Sequence, residues 1–159
     1  MRRDQDSLNI RNSADFMVLG CEYEANSDPH PYWYGRIIGI FHALVDYLGP
    51  GSRSSDPQEM EFLWVRWLGR DPNNSYRDGW TRRRLPRVGF VDYEDKAAFG
   101  FLNPALILRA VHLIPCFALG RTTHLLPEQS ICRLAEENDK DWDMFYVNMY
   151  VDIYLFCMI

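Results

Sequence analysis

Residues 31–41, PYWYGRIIGIF, and residues 60–70, MEFLWVRWLGR, decide the fold of this chain. Both stretches are rich in Ile, Val, Trp, Tyr and Phe, the side chains that favour a pleated, half-buried surface. Each stretch also carries one arginine, Arg36 or Arg66, between apolar neighbours. They indicate a β domain and favour a binding module over a catalyst.

The two stretches predict the central strands of that domain, over residues 32–45 and 59–68. Their similar composition and the turn-rich segment between them predict that they pair as antiparallel neighbours. The first strand is long and contains Gly35 and Gly39, which predict a strong bend or a bulge.

Length and composition predict one domain. The chain has 159 residues, of which 47% are hydrophobic and 14% aromatic, enough for a packed core. We predict a flexible N-terminus over residues 1–14, a single β domain over 15–152 and an atypical apolar tail over 153–159. The formal net charge of −5 excludes a wholly basic nucleic-acid-binding chain.

Shorter apolar runs complete the predicted fold, which is a small, curved, partly open β-barrel with one short helix. The helix is placed at 127–136, because Pro127 suits a first helical turn and Glu128 suits its positive end. The other strands are predicted at 15–21, 87–91, 98–101, 111–115 and 145–151.

A hydrophobic core is predicted where the two central strands meet. We expect its residues to be mostly buried, and they are Ile37, Phe41, Leu63 and Val65, with most of Trp33 and Trp67.

Catalytic and metal-binding motifs do not stand out. The four cysteines form no C-x-x-C pair, and Pro115 separates His112 from Cys116, which argues against a shared helix face. We therefore predict no catalytic residue, no metal and no cofactor, and a protein that is not an enzyme. A Cys–His dyad formed in space stays open as a distant alternative.

Aromatic side chains supply the leading binding hypothesis. Tyr32 and Tyr34 would point to one side of their strand and Trp33 to the other. One set would fill the core and the other would line a groove for a partner. Tyr32, Tyr34 and Trp64 are the candidate partner-binding residues, and a protein or peptide is the predicted partner.

A basic cluster supplies the alternative, which is a β module that binds nucleic acid through phosphate contacts. Its candidate residues are Arg77, Arg82, Arg83, Arg84 and Arg87. An ordinary solvated loop would show the same pattern. The polar N-terminus and the lack of a long apolar run predict an intracellular protein that does not associate with membranes.

Several segments resemble an uncharacterised domain of transposon-related predicted proteins from mushroom-forming basidiomycete fungi. The order of elements is also similar to a domain of plant CACTA-type transposon proteins, with Asn103-Pro104 at the corresponding turn. Residues 34–38 and 65–67 loosely resemble the strand signatures of BAH domains. The segments that carry the fungal resemblance are 30–42, 60–67, 84–90, 111–115 and 141–149.

The resemblance implies a non-enzymatic interaction module of a transposon-related fungal protein, with a chromatin or peptide partner and a nuclear location. The apolar tail at 153–159 departs from the pattern of these relatives, which continue with charged residues and glycines.

Overall fold

The computed structural model describes residues 14–20, 31–46, 48–51, 56–72, 84–133, 137 and 140–148. The predictions for residues 1–13 and 153–159 lie outside these ranges. Ten strands form within them. They are β1 (Asp15–Leu19), β2 (Tyr32–Val45), β3 (Gln58–Arg70), β4 (Arg87–Phe90), β5 (Phe99–Leu102), β6 (Ile107–Ala110), β7 (His112–Pro115), β8 (Arg121–Thr122), β9 (Asp141–Trp142) and β10 (Phe145–Asn148).

The two central strands pair as the sequence predicts. β2 and β3 run antiparallel, from Tyr34 opposite Leu68 to Val45 opposite Gln58. The predicted bulge is also present, because β2 holds one residue more than β3 between Ile37 and Gly39. A bulge of this kind bends a strand and increases its twist.

The main sheet has eight strands. Its order is β6-β1-β2-β3-β4-β10-β7, and β5 pairs with β3 beside β4. The prediction of a mainly β fold is therefore confirmed. The sheet is not closed into a barrel, because its end strands β6 and β7 do not pair with each other. β6 and β7 are nevertheless consecutive in the chain, and a single residue, Val111, connects the two end strands of the sheet.

The predicted helix at 127–136 is wrong. Residues 127–133 form turns, and Gln129 has a φ of 58°, which no right-handed helix accommodates. The Arg133 guanidinium donates to the carbonyl oxygens of Leu126 and Pro127, at 3.0 and 2.9 Å, and so ties this segment into a loop. Among the described residues, helical structure is limited to 3-10 conformation, in a turn at Pro104–Leu106 and at Glu137.

Two hydrophobic clusters cover opposite faces of the sheet. We name the faces by one residue each. The Tyr34 face carries Met17, Tyr34, Leu68, Val88, Phe90, Val111, Leu113, Phe145 and Val147. The Phe16 face carries Phe16, Val18, Ile37, Leu63, Val65 and Leu102.

The core prediction is correct for Ile37, Leu63 and Val65, which are buried. It is wrong for Trp33 and Phe41, whose side chains are 44% and 42% exposed. Trp67 is half-buried and makes edge-to-face contacts with Phe16 and Trp33.

The bulge explains the error at Phe41. Ile37 lies opposite Val65 on the Phe16 face, and simple alternation would place Phe41 on the same face. The extra residue reverses the alternation, so Phe41 lies opposite Phe62 and points to the Tyr34 face. No described strand covers that part of the Tyr34 face.

Candidate functional site

The far parts of β2 and β3 form a two-stranded ribbon, which extends beyond the part of the sheet where these strands have further strand neighbours. We define the ribbon as residues 39–45 of β2 and 58–64 of β3. β1 pairs with β2 only along residues 32–36, and β5 pairs with β3 only along residues 63–66. Most of the ribbon is therefore flanked by no other described strand.

Aromatic rings gather on one face of this ribbon. Phe41 stacks on Phe62 with ring centroids 5.4 Å apart, and Phe101 of β5 meets Phe62 edge to face, also at 5.4 Å. Next to them, Trp64 packs on Phe99 at 6.0 Å. We call these five residues the aromatic face. They lie side by side because Phe41 pairs with Phe62 and Trp64 pairs with Phe101 across the strands.

The aromatic face is partly open to solvent and carries no charge, because Phe41 and Phe101 are exposed while its other three rings are half-buried. Phe101 is 73% exposed, and Met60, which continues the same face toward the tip, is 51% exposed. The other ribbon residues on this face are uncharged, and they are Gly39, Ala43, Val45 and Gln58. Acidic side chains lie on the reverse face, where Glu61 is 3.2 Å from His42 and Glu59 is exposed.

The structure separates the three predicted partner-binding aromatics. Tyr34 is buried in the core and offers no surface. Tyr32 is half-buried and packs against the Tyr34-face cluster. Trp64 lies in the aromatic face. The other four residues of the aromatic face were not predicted as partner-binding residues. Alternation identifies which residues share a face of a strand, but it does not show whether another layer covers that face.

The predicted basic cluster is only partly described. Arg84 is exposed, whereas Arg87 forms an ion pair with Asp71. Burial opposes the charge of Arg87, but its hydrogen bond and Coulombic attraction to Asp71 prevail and raise its pKa. Arg77, Arg82 and Arg83 lie outside the described residues. Within those residues the cluster does not form a continuous basic stripe.

The two arginines inside the central strands are buried together. Arg36 and Arg66 are direct cross-strand partners. The Arg36 guanidinium donates to Asp15 at 2.7 and 3.3 Å and to Glu137 at 2.9 Å. Burial disfavours the charged form of Arg36, but the attraction and hydrogen bonds of both carboxylates outweigh this and raise its pKa.

Arg66 is completely buried and reaches a different carboxylate. Its two terminal nitrogens donate to Asp141 at 3.0 and 3.3 Å, and one of them also donates to the Leu125 carbonyl oxygen at 3.2 Å. Arg133 donates to the same Asp141 at 3.2 Å. Burial lowers the pKa of Arg66, and the hydrogen bond to Asp141 opposes that effect.

These charges form a balanced network of three arginines and three carboxylates. The Arg36 and Arg66 guanidinium carbons also lie 5.0 and 3.9 Å from the centre of the Phe90 ring, within the range of cation–π attraction. A guanidinium does not release its proton in a protein, and each carboxylate is engaged by arginine. The network therefore suits the fixing of loops to the sheet better than acid–base chemistry.

The buried Cys116 has a polar contact of its own. Its thiol donates to the Tyr146 hydroxyl at 3.3 Å. The hydrogen bond with Cys116, followed by burial, raises the pKa of Tyr146, and Arg87 acts against this rise. Among the described residues, no group of three or more His, Cys, Asp and Glu side chains could hold a metal ion.

Comparison with known proteins adds no family to this description. No protein-family model, no curated protein and no solved structure matches the chain. In the part of the chain that the structure describes, no helix has the length and apolarity needed to cross a membrane.

Proposed function

We propose that this protein is a non-enzymatic interaction module whose aromatic face binds an extended segment of a partner protein. The observation that carries the proposal is the aromatic face, in which Phe41 and Phe101 are exposed and the other three rings are half-buried, where β5 meets a ribbon that no described strand covers. Exposed apolar patches of this kind are typical of interaction sites. Aromatic rings suit the role because they offer a large rigid contact area at low entropic cost.

Charge supports a basic segment as the partner. Exposed acids are present on the same ribbon, where Glu59 and Glu61 lie on the reverse face. The turn that leads into β5 contributes three exposed acids, Asp92, Glu94 and Asp95, and one exposed base, Lys96, and is therefore acidic on balance. The face itself is uncharged, so lysine or arginine side chains can lie over its rings by cation–π attraction, and the acids of the ribbon and of the turn before β5 favour a positively charged partner.

The proposed partner chemistry agrees with the resemblance to BAH domains, since the tails of chromatin proteins are extended and basic. Membership in a transposon-related fungal protein and a nuclear location stay predictions from the resemblance. Nucleic-acid binding by the arginine cluster also stays a prediction, and it becomes an outcome of the test below.

The test uses a short labelled peptide that alternates leucine and lysine, with a leucine–glutamate peptide as the charge-reversed control. We expect the lysine peptide to bind the full chain in a fluorescence anisotropy titration, and the glutamate peptide to bind far more weakly. The double variant Phe41→Ser/Phe101→Ser should weaken binding about tenfold or more, a loss of roughly 1.4 kcal/mol.

The control is Ile131→Ser, which removes an even more exposed apolar side chain outside the ribbon. This variant should bind the lysine peptide as the natural chain does. An equal loss of affinity for the lysine peptide in Phe41→Ser/Phe101→Ser and in Ile131→Ser would contradict the proposal. The nucleic-acid alternative would be favoured if the chain does not bind the peptide but binds single-stranded DNA in a salt-sensitive way. Arg84→Ala should then weaken the binding of DNA.

A further inference from the structure

The ribbon has an outer edge, which is the side of β2 that faces away from β3. Up to Arg36 this edge pairs with β1, and the Ile37 N–H still donates to the Ala14 carbonyl oxygen at 2.9 Å. Along residues 38–45, no described strand pairs with the outer edge. An open strand edge is a template for one more strand, because it presents unpaired N–H and C=O groups.

The backbone groups that the outer edge presents follow from the pairing of β2 with β3. The Trp67 N–H of β3 donates to the Ala98 carbonyl oxygen, on the side away from β2. Backbone groups alternate in direction along a strand, so the even-numbered residues of β3 direct theirs at β2. Their partners in the ribbon are the odd-numbered residues of β2. The N–H and C=O groups of Ile40, His42 and Leu44 therefore point outward.

The outer edge lacks the features that keep strand edges apart. Proteins usually protect such edges with charged side chains or proline. Residues 38–45, IGIFHALV, contain no lysine, arginine, acid or proline. Ile40 and Leu44 are instead 44% and 75% exposed. The edge therefore favours pairing with another apolar strand.

We propose that the outer edge pairs with the same edge of a second copy of this chain. The two copies of β2 would run antiparallel around a two-fold axis, with His42 opposite His42. The axis is perpendicular to the sheet, so the two ribbons would join into one four-stranded sheet. A two-fold contact of this kind uses each edge once and closes as a dimer.

The sequence of the edge is complementary to itself in this register. Ile40 and Leu44 lie two residues before and two residues after His42. Each Ile40 therefore lies opposite Leu44 of the other copy, and two exposed apolar side chains on each copy become neighbours. On the other face, Phe41 lies opposite the small Ala43. Shifting one copy by two residues places His42 opposite Ile40 or Leu44 and loses this match.

The backbone groups also match in this register. Ile40, His42 and Leu44 are the residues whose groups point outward, and they pair only with one another. Each pair exchanges two hydrogen bonds, so about six bonds would join the copies. The contact is small beside the roughly 1,600 Å² of a standard stable interface. We therefore expect a dimer whose population depends on protein concentration.

Sedimentation equilibrium of the full chain at increasing concentration tests the dimer. The variant Ile40→Lys/Leu44→Lys places lysine opposite lysine at two points of the contact, and should weaken dimer formation about tenfold or more. The matched control is Leu119→Lys/Ile131→Lys, which adds the same charge at apolar side chains of similar exposure, 46% and 81%, outside the ribbon. This control should dimerise as the natural chain does.

A charge-complementary variant tests the register and guards against a loss of folding. Ile40→Lys/Leu44→Glu places each introduced lysine opposite an introduced glutamate of the other copy. It should form the dimer again where Ile40→Lys/Leu44→Lys does not. In the natural chain, amide exchange at Ile40, His42 and Leu44 should slow as the protein concentration rises.

Four outcomes would overturn the inference. The first is a natural chain that stays monomeric at every concentration, and the second is a dimer that Ile40→Lys/Leu44→Lys leaves intact. The third is a Lys/Glu variant that is as monomeric as the Lys/Lys variant. The fourth is slow amide exchange along the edge in the monomer, because a segment of the same chain would then occupy it.

The dimer and the proposed function can fail separately, because the dimer is measured without peptide. A natural chain that dimerises through this edge and does not bind the leucine–lysine peptide overturns the proposed function alone. A monomeric chain that binds the peptide through Phe41 and Phe101 overturns the dimer alone.

Discussion

Arg36 and Arg66 face each other across the central pair of strands, with both guanidinium groups directed at the ring of Phe90. Like charges placed directly opposite each other destabilise an antiparallel pair. The protein avoids this cost by giving each arginine its own carboxylate, Asp15 for Arg36 and Asp141 for Arg66. The pair thus joins the middle of the sheet to β1 on one side and to β9 on the other.

Asp141 should be the most sensitive member of this network. Asp141→Asn removes the only carboxylate that we find on Arg66 among the described residues, and it also weakens the contact with Arg133. An uncompensated buried charge costs about 3–5 kcal/mol of unfolding free energy, which urea denaturation would measure. Asp46→Asn, at an exposed aspartate, should change the stability little. Similar losses in both variants would contradict the role given to Asp141.

Gly35 should not tolerate a side chain. A Cβ atom at this position would lie 2.7 Å from the Phe16 ring and 3.2 Å from the Arg66 carbonyl oxygen. Gly35→Ala should lower the unfolding free energy by about 1–3 kcal/mol, because the packed core cannot make room without strain. Gly69→Ala in β3 is the control, since its Cβ atom would meet only Val91 at an ordinary 3.7 Å. The prediction fails if the two alanine variants are equally stable.

Trp67 and Trp33 touch each other but should differ in their contribution to stability. Trp67 is half-buried and also packs edge to face on Phe16, whereas Trp33 is largely on the surface. Trp67→Ala should cost about 3 kcal/mol and Trp33→Ala distinctly less. Thermal unfolding of the two variants provides the comparison. An unchanged midpoint for Trp67→Ala would show that the core is assigned incorrectly.

Tyr146 should make the stability depend on alkaline pH. Its pKa is raised in the folded protein, so the unfolded chain loses the phenol proton first. The stabilisation is complete below the ordinary tyrosine pKa of about 10 and is lost as the pH rises through the higher folded value. Tyr146→Phe should therefore show a shallower loss of unfolding free energy above that pH. Parallel profiles for the two proteins would contradict the prediction.

The local pattern of the sequence was sufficient to identify seven of the ten strands and the central pairing, but not the short strands β6, β8 and β9. β-branched and aromatic side chains predicted β2 with its bounds at Tyr32–Val45, and the glycines predicted its bulge. The predicted helix failed for a different reason. Its propensity signals were real, but Arg133 binds the backbone carbonyls of that segment and turns toward Asp141, a tertiary contact that no local pattern contains.

The features of the candidate site also fall into those that the sequence predicts and those that depend on the tertiary structure. Sequence alone determined that two aromatic-rich strands pair and that each carries one arginine among apolar neighbours. Only the tertiary structure decided that Tyr34 is buried, that the bulge turns Phe41 to the uncovered face beside Phe62, and that Arg66 finds its counter-charge 75 residues away. The physical reason is that propensity and alternation act between neighbours in the chain. Burial and charge compensation depend on which distant residues the folded chain brings against each face.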